Sequence, residues 1–472
     1  MAATEERFQE TTRFLSWAKE QLAIAGDVVM GCLEEKLRDA LREDARRCLE
    51  ELLNDPAVKV PGDHTQAGES CHAGRVNTVG SSFGPLALRR NYYSLRDQAA
   101  GRAPLDESLG VVEGCTPGLA RLMCRAGALE PYEEASQSLE AYCGLQIEGR
   151  RIQRLIQRLG PEFAQWTRSQ PAPDSLPAQA IFYVEADGTG VPVRPEETVG
   201  RKGKGSDGQG KTREVKVGAV FTQTPPEKPA ANRKKTVKKT LGKKAGCDRK
   251  KAPPETRWER TAGSTRYVTT TGNAQEFGQQ LRELAQRQGM ALAGLVVFLG
   301  DGAAWVWELA RVCFPFAKLI LDFYHASEHV GLLTEILFGK DTPKAKARRK
   351  AWVKVLKNKE DGVDHVIRRA ETAIPKRGKA RGKALKALAY FQNNRDKMRY
   401  WEYQAQGLFF GSGVVEAACR TVVGQRLKQS GMFWGLSGAH NILDIRCVLE
   451  NHQFEEFWKS RRPAPQTLPK AA

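Results

Sequence analysis

"LVVFLGDGAAW", Leu295–Trp305, is the stretch on which the fold turns. An apolar run and one glycine lead directly into Asp301, with no turn residue before that glycine. A buried strand that ends on a bare carboxylate needs something to answer the charge. The segment "AIFYVEADGTG", residues 180–190, repeats the arrangement with Asp187. In both, a glycine follows the aspartate, so the backbone can turn away and leave the side chain at the strand end.

The surrounding pattern supplies the rest of an α/β unit. "REVKVGAVFT" (213–222) and "RYVTTT" (266–271) read as the second and third strands. A helix over about 273–289 follows, then the "LVVFLGD" strand, a helix through "AAWVWELARVCF", and a fifth strand in "AKLILDFYH". Three strands, helix, strand, helix, strand is the ribonuclease H-like plan, expected over 178–340. In that plan the first and fourth strands lie side by side, each ending on an acid, and a later helix supplies a third.

Two close carboxylates repel, and one tends to hold its proton. A hard divalent cation, Mg²⁺ or Mn²⁺, removes that conflict and takes the rest of its shell from water and phosphate. Two such ions suit in-line displacement at phosphorus. Asp187 and Asp301 are the expected metal ligands, although a strand-end aspartate also caps a following helix, as Asp301 can here. "GSGVVEAACR" offers Glu416 as the third ligand, with Ser412 as cap and Arg420 one turn on as a phosphate contact. The plainer alternative is a Glu416–Arg420 pair at a helix start. "LDFYHASEH" adds Asp322, a rival for the second position, and His325, placed to meet a phosphate or orient a carboxylate; Phe323 and Tyr324 read as core. No second soft ligand at suitable spacing calls for zinc.

The chain of 472 residues carries a formal charge of +19 and 41% hydrophobic residues, so it can bury a core and favours a polyanionic partner. Arg201–Lys251 alone holds 17 Lys/Arg against 4 Asp/Glu. A basic loop over 224–256 follows from this, with Lys234, Lys235, Lys238 and Lys239 as phosphate contacts. No apolar run approaches a membrane span, so a membrane partner drops out and double-stranded DNA remains. Ten cysteines without a C-x-x-C pair, and no signal peptide, point to a thiol-reducing cytoplasm. "RLKQSGMFWGLSGAHNILDIR" sets Arg426 and Lys428 beside Trp434, a pattern that suits stacking on an unpaired base or, equally, helix packing.

The other regions are read as helical (1–58), strand- and turn-rich (59–112), helical with a turn at Gly144 (113–172), a helical insertion (341–405), C-terminal catalytic helices (406–452) and a tail (453–472). The turn at Gly144 fits a helix-turn-helix or a plain hairpin, with Arg150, Arg151, Arg154 and Arg158 on the second helix.

"RRNYYS", "PLDESLG", "EADGTGVPV", "GKTREVKVGAVFTQT", "FLGDGAAWVW", "ILDFYHASEH", "GSGVVEAACR" and "RLKQSGMFW" together resemble a bacterial insertion-sequence transposase of the ISKra-four family, related to the Mutator-like group. The resemblance runs over about residues 70–450. It implies a DDE transposase with Asp187, Asp301 and Glu416 as ligands of two Mg²⁺ or Mn²⁺ ions, and Asp322 and His325 as an accompanying D-x-x-H feature. It also implies terminal inverted-repeat and target DNA as partners, a homo-oligomer on DNA, and a nucleoid-associated setting. Family members commonly carry a zinc-ribbon-like C-x-x-C where this chain has Leu95 and Gln98, so no N-terminal zinc is expected. A metal-dependent nuclease without strand transfer, and a catalytically dead DNA-binding regulator, stay open as alternatives.

Overall fold

Apolar runs and amphipathic stretches alternate along the chain, and the computed structural model turns them into two compact units. The described residues are 8–24, 30–58, 60–95, 101–176, 180–201, 203, 210–224 and 259–461. The basic loop with Lys234, Lys235, Lys238 and Lys239 lies outside them, as does Gln98. The fold is mixed α/β, with a helical N-terminal region and a mixed sheet.

One unit holds Met1–Thr167 together with Ser437–Ala472. It begins with two helices, α1 (Gln9–Ile24) and α2 (Met30–Asn54). Buried Asp44 of α2 accepts from the amides of Glu10 and Thr11 at 3.0 and 2.8 Å, satisfying donors that the first turn of α1 cannot. The hairpin β1 (Glu69–Ser81) and β2 (Gly84–Leu95) buries Val79, Leu86 and Leu88, with Leu49 and Leu53 of α2 against them. Next come α3 (Pro104–Ser108), α4 (Pro117–Leu129), α5 (Tyr132–Cys143) and α6 (Gly149–Ser169). Gly144 ends α5 with φ +65°, the left-handed stop that glycine allows. On α6, Arg151 donates to Gly114 O at 2.8 Å and Arg158 pairs with Glu162, so half of its basic face is engaged within the protein.

The second unit, Arg168–Leu436, is built on the sheet. Its strands are β3 (Ile181–Pro192), β4 (Thr212–Thr224), the short β5 (Glu259–Arg260), β6 (Arg266–Thr270), then, after α7 (Ala274–Arg287), β7 (Leu295–Gly300), α8 (Ala304–Cys313) and β8 (Lys318–Leu321). β4 lies antiparallel to β3, β6 and β5 lie antiparallel along the far edge of β4, and β7 and β8 run parallel to β3 on its other side. Asn273 starts α7 with a capping box, its carboxamide oxygen accepting Glu276 N at 2.8 Å. Phe277, Leu281, Val306 and Leu309 of α7 and α8 join Phe182, Val184 and Phe298 in the core.

The fifth strand stops earlier than the sequence reading had it. It ends at Leu321, because Asp322 caps α9 (Phe323–Phe338) and draws Phe323–His325 into that helix. Phe323 is buried as expected, but Tyr324 is 67% exposed, not core. Helices α10 (Pro343–Asn358), α11 (Gly362–Ala373), α12 (Lys379–Asn393) and α13 (Tyr400–Ala405) follow. A continuous helical stretch then runs through α14 (Gly413–Ala418), a π-helical turn (Cys419–Gly424) and α15 (Gln425–Leu427).

Two C-terminal readings need correction. The sequence groups the helix α16 (Leu436–Glu450) with the catalytic helices, but Ser437 onward belongs to the N-terminal unit. The expected tail from 453 contains a helix, α17 (Phe454–Ser460). Phe454, Phe457 and Trp458 are buried there, and Phe457 stacks on Phe163 of α6 at 3.6 Å between ring centres. A seven-residue helix is too short to show a clear apolar period, which is why its three aromatics pass for tail composition.

Candidate active site

Asp187 and Asp301 follow directly from register. β3 and β7 are parallel, strands spaced about 4.8 Å apart, and Ala186 lies opposite Gly300. Asp187 follows within β3, which runs on to Pro192 and does not end on the aspartate as the sequence suggested, and Asp301 follows the last residue of β7. Asp301 does not cap α8, whose N-cap is Ala303 without a side-chain cap; its Oδ1 accepts Ala303 N at 2.8 Å and closes the turn that leads into the helix. Gly302 sits at φ +102°, and a Cβ there would come within 2.9 Å of the Tyr390 hydroxyl. Asp187 accepts Gly188 N at 2.7 Å and the Cys419 thiol at 3.4 Å. Burial, and then the charge of Asp301, push its carboxyl above the usual range, while His325 pulls the other way.

Asp322 is fully buried and holds two segments together. Its Oδ1 accepts His325 N at 2.7 Å and lies 3.2 Å from His325 Nδ1; its Oδ2 accepts Ser412 N at 2.6 Å. Burial works against its charge, but the hydrogen bonds from His325 and Ser412 outweigh it and keep the carboxyl below its ordinary range. In turn the Asp322 hydrogen bond raises His325 to about 9, so the imidazole is a cation at neutral pH. Ser412 stands at the N-cap position of α14, but its hydroxyl donates to Glu416 Oε1 at 2.8 Å instead of capping the helix. One ligand atom from each of Asp322, His325 and Glu416 lies within 4.8 Å of the other two.

Two carboxylate groups therefore stand out: Asp187 with Asp301, and Asp322 with His325 and Glu416. Cys419 links them, lying three residues past Glu416 on the same helical stretch and touching Asp187. The Glu416–Arg420 pair, the plainer alternative, does not form among the described residues; Arg420 is exposed on the π-helical turn. Lys428 is exposed and donates to the Thr189 hydroxyl, two residues beyond Asp187.

Arg426 and Trp434 do not present themselves to a ligand. Both are buried, the Arg426 guanidinium lies 5.0 Å from the Trp434 ring, and Trp434 Nε1 donates to Leu427 O at 3.2 Å. Trp434 also bridges by backbone to Val193 at the end of β3. They fix the segment after α15 to the sheet, so their expected role in DNA contact is withdrawn. The neighbouring Phe433, 62% exposed, is the aromatic that faces solvent.

Glu185 is the residue that sequence reasoning passed over. It is fully buried, and its Oε2 accepts Val415 N at 2.7 Å, pinning the start of α14 to β3. Burial pushes it up to about 8. The signal was present in the strand's period of two, which puts Glu185 on the same face as Asp187. Tyr183, also on that face, accepts Phe409 N at 3.0 Å and stacks on Phe221 at 4.9 Å. No helix among the described residues is long and apolar enough to cross a membrane.

No family model matches the chain, and no curated protein matches it. Among solved structures it is similar to one described as "Drosophila P element transposase strand transfer complex", at 11% identity, over 71% of this chain and 92% of that one, with a TM-score of 0.30. Likeness at that level leaves the fold to be argued from the strand order itself.

Proposed function

We propose that this chain is a metal-dependent DNA transposase of the DDE class, with a ribonuclease H-like catalytic unit and the ISKra-four resemblance as its family. The observation that carries the reading is the register that sets Asp187 of β3 beside Asp301 at the end of the neighbouring parallel β7, in a sheet whose main strands run third, second, first, fourth, fifth. The donor set fits hard divalent ions: carboxylate oxygens predominate, and a cation would offset both the burial that chiefly raises Asp187 and the smaller repulsion from Asp301. Asp187, Asp301 and Glu416 would hold two Mg²⁺ or Mn²⁺ ions. Bound there, the ions would supply Lewis-acid activation of the attacking oxygen and stabilisation of the leaving one.

The protein's own groups do the positioning. Asp322 fixes His325 in its charged form and, through Ser412, sets the rotamer of Glu416. Charged His325 would donate to a phosphate oxygen, and Arg420 and Lys428 would neutralise the flanking phosphates. The DNA would be the element's terminal inverted repeats and a target duplex, handled by an oligomer of this chain.

Alanine at Asp187, Asp301 or Glu416 should each abolish Mg²⁺-dependent cleavage of a duplex carrying the element end while leaving DNA affinity within about twofold. Joining of the freed 3′-hydroxyl to a second duplex separates a transposase from a nuclease. Undiminished cleavage in any one variant removes that residue from the ligand set, and cleavage by an Asp187→Asn, Asp301→Asn double variant ends the reading.

A further inference from the structure

The helix α10 reads "PKAKARRKAWVKVLKN": seven Lys/Arg and no acid in 16 residues. Thr342 caps it, accepting Ala345 N at 3.1 Å, and Pro343 opens its first turn. Its apolar stripe is spent inside the protein, since Ala345, Trp352 and Leu356 are buried. The cationic remainder is not. Among the described residues none of the seven forms an ion pair with an acid. Lys346, Arg349, Lys350 and Lys354 are exposed.

A groove of about 480 Å³ opens between α10 and α9, lined by Phe323, Ser327, Arg349, Lys350, Lys354 and Lys357 among others. Arg349 lies flat across α9: a Cβ on Gly331 would come within 3.0–3.3 Å of its Nε, Cζ and Cδ. At the other end, the Lys357 ammonium sits 5.5 Å from the Phe323 ring and 5.7 Å from Phe410. Phe323 follows Asp322 directly, so the groove begins beside the candidate active site. Arg349 to Lys357 spans about 12 Å of helix. Phosphates of one DNA strand rise about 3.4 Å each, so the row matches three or four of them.

We propose that this groove holds the sugar-phosphate backbone of the duplex whose cleavage the preceding section assigns to the unit, and so rests on that reading for its substrate class. Cations without acid partners in a row, beside a groove lined by Phe323, Ser327 and Val353, suit a polyphosphate track that positions without reading sequence. An anionic membrane fits less well, because a helix that lies in lipid buries its apolar face there, and that face of α10 is already covered by protein.

The test is binding of the full chain to a 30-bp duplex in EDTA, read by fluorescence anisotropy across a salt series. Gln replaces Arg349, Lys350 and Lys354 together; it keeps helix propensity, and the sites are exposed. The slope of log affinity against log salt should fall by about 2–3, with affinity roughly tenfold or more weaker near 0.1 M salt. The comparison removes equal charge from α12, by Gln at Arg381, Lys383 and Lys386. An equal loss there overturns the proposal, since net charge and not the groove would then be acting. In the unaltered chain, duplex should shield Lys350 and Lys354 from amine acetylation; unshielded lysines, or tighter binding to phosphatidylserine vesicles than to duplex, also overturn it. Because no metal is present, groove-dependent binding without any cleavage in Mg²⁺ refutes only the catalytic reading. Cleavage that persists at full rate with the groove neutralised, and an unchanged salt slope, refutes only the groove.

Discussion

Glu185 gives the sharpest single perturbation. Its carboxyl is shielded from water, its Oε2 accepts Val415 N at 2.7 Å, and no partner for its Oε1 exists among the described residues. Glu185→Ala leaves the Val415 amide buried without an acceptor, at about 1–3 kcal/mol. The emptied space adds to that, so a total of about 2–4 kcal/mol is expected. Glu185→Gln keeps an acceptor of the same shape and replaces a group that is largely neutral at pH 7, so its cost should stay under about 1 kcal/mol. With a urea dependence of about 3 kcal/mol per M, the alanine variant should lower the unfolding midpoint by roughly 1 M and the glutamine variant by less than a third of that. Hydrogen–deuterium exchange localises the effect: the peptide containing Val415 should lose protection in the alanine variant and keep it in the glutamine one. Equal midpoints for all three proteins, with unchanged exchange at Val415, would show that Glu185 does not pin α14.

Other expectations follow from the same kind of accounting. Trp434→Ala should destabilise the protein by about 3–5 kcal/mol in a thermal melt, whereas exposed Phe433→Ala should stay within about 0.5 kcal/mol; the reverse order would restore Trp434 as a surface residue. For Asp44, burial raises the carboxyl, but hydrogen bonds from Thr11 and Glu10 prevail and hold it below its ordinary 3.8. Its contribution is therefore complete above pH ~4 and fades as pH falls through the depressed value. Asp44→Asn should flatten the acid limb of a helicity-against-pH curve below its ordinary 3.8, and a curve that superimposes on the parent's would exclude Asp44 as the acid-sensitive tie.

The strands were legible because buried parallel strands advertise themselves as short apolar runs, and the two aspartates because each interrupts such a run beside a glycine. The third acid was legible only as a residue type on a helix. Its hold on Asp322 passes through Ser412, a contact across 90 residues that no local pattern encodes. Arg426 and Trp434 were misread because a basic residue near an aromatic has the same spacing whether the pair faces solvent or folds inward. The burial of both residues, the Trp434 Nε1 bond to Leu427 O and the backbone bridge to Val193 decide between them. The reading of "AKLILDFYH" as one strand failed for a similar reason: a buried aspartate that caps a helix and one that ends a strand look alike until the N–H groups that donate to it are known.

The unit formed by Met1–Thr167 and Ser437–Ala472 has a consequence for biosynthesis. Phe163 leaves the ribosome long before the aromatics of Phe454–Ser460 that cover it. At about 5–20 residues per second, the roughly 270 intervening residues take on the order of 15–55 s to translate. During that interval the nascent chain carries an uncovered aromatic ledge, while the sheet-bearing stretch emerges whole and can mature first. Chaperone occupancy at Phe163 and Trp166 should accordingly persist until Phe454–Ser460 is out.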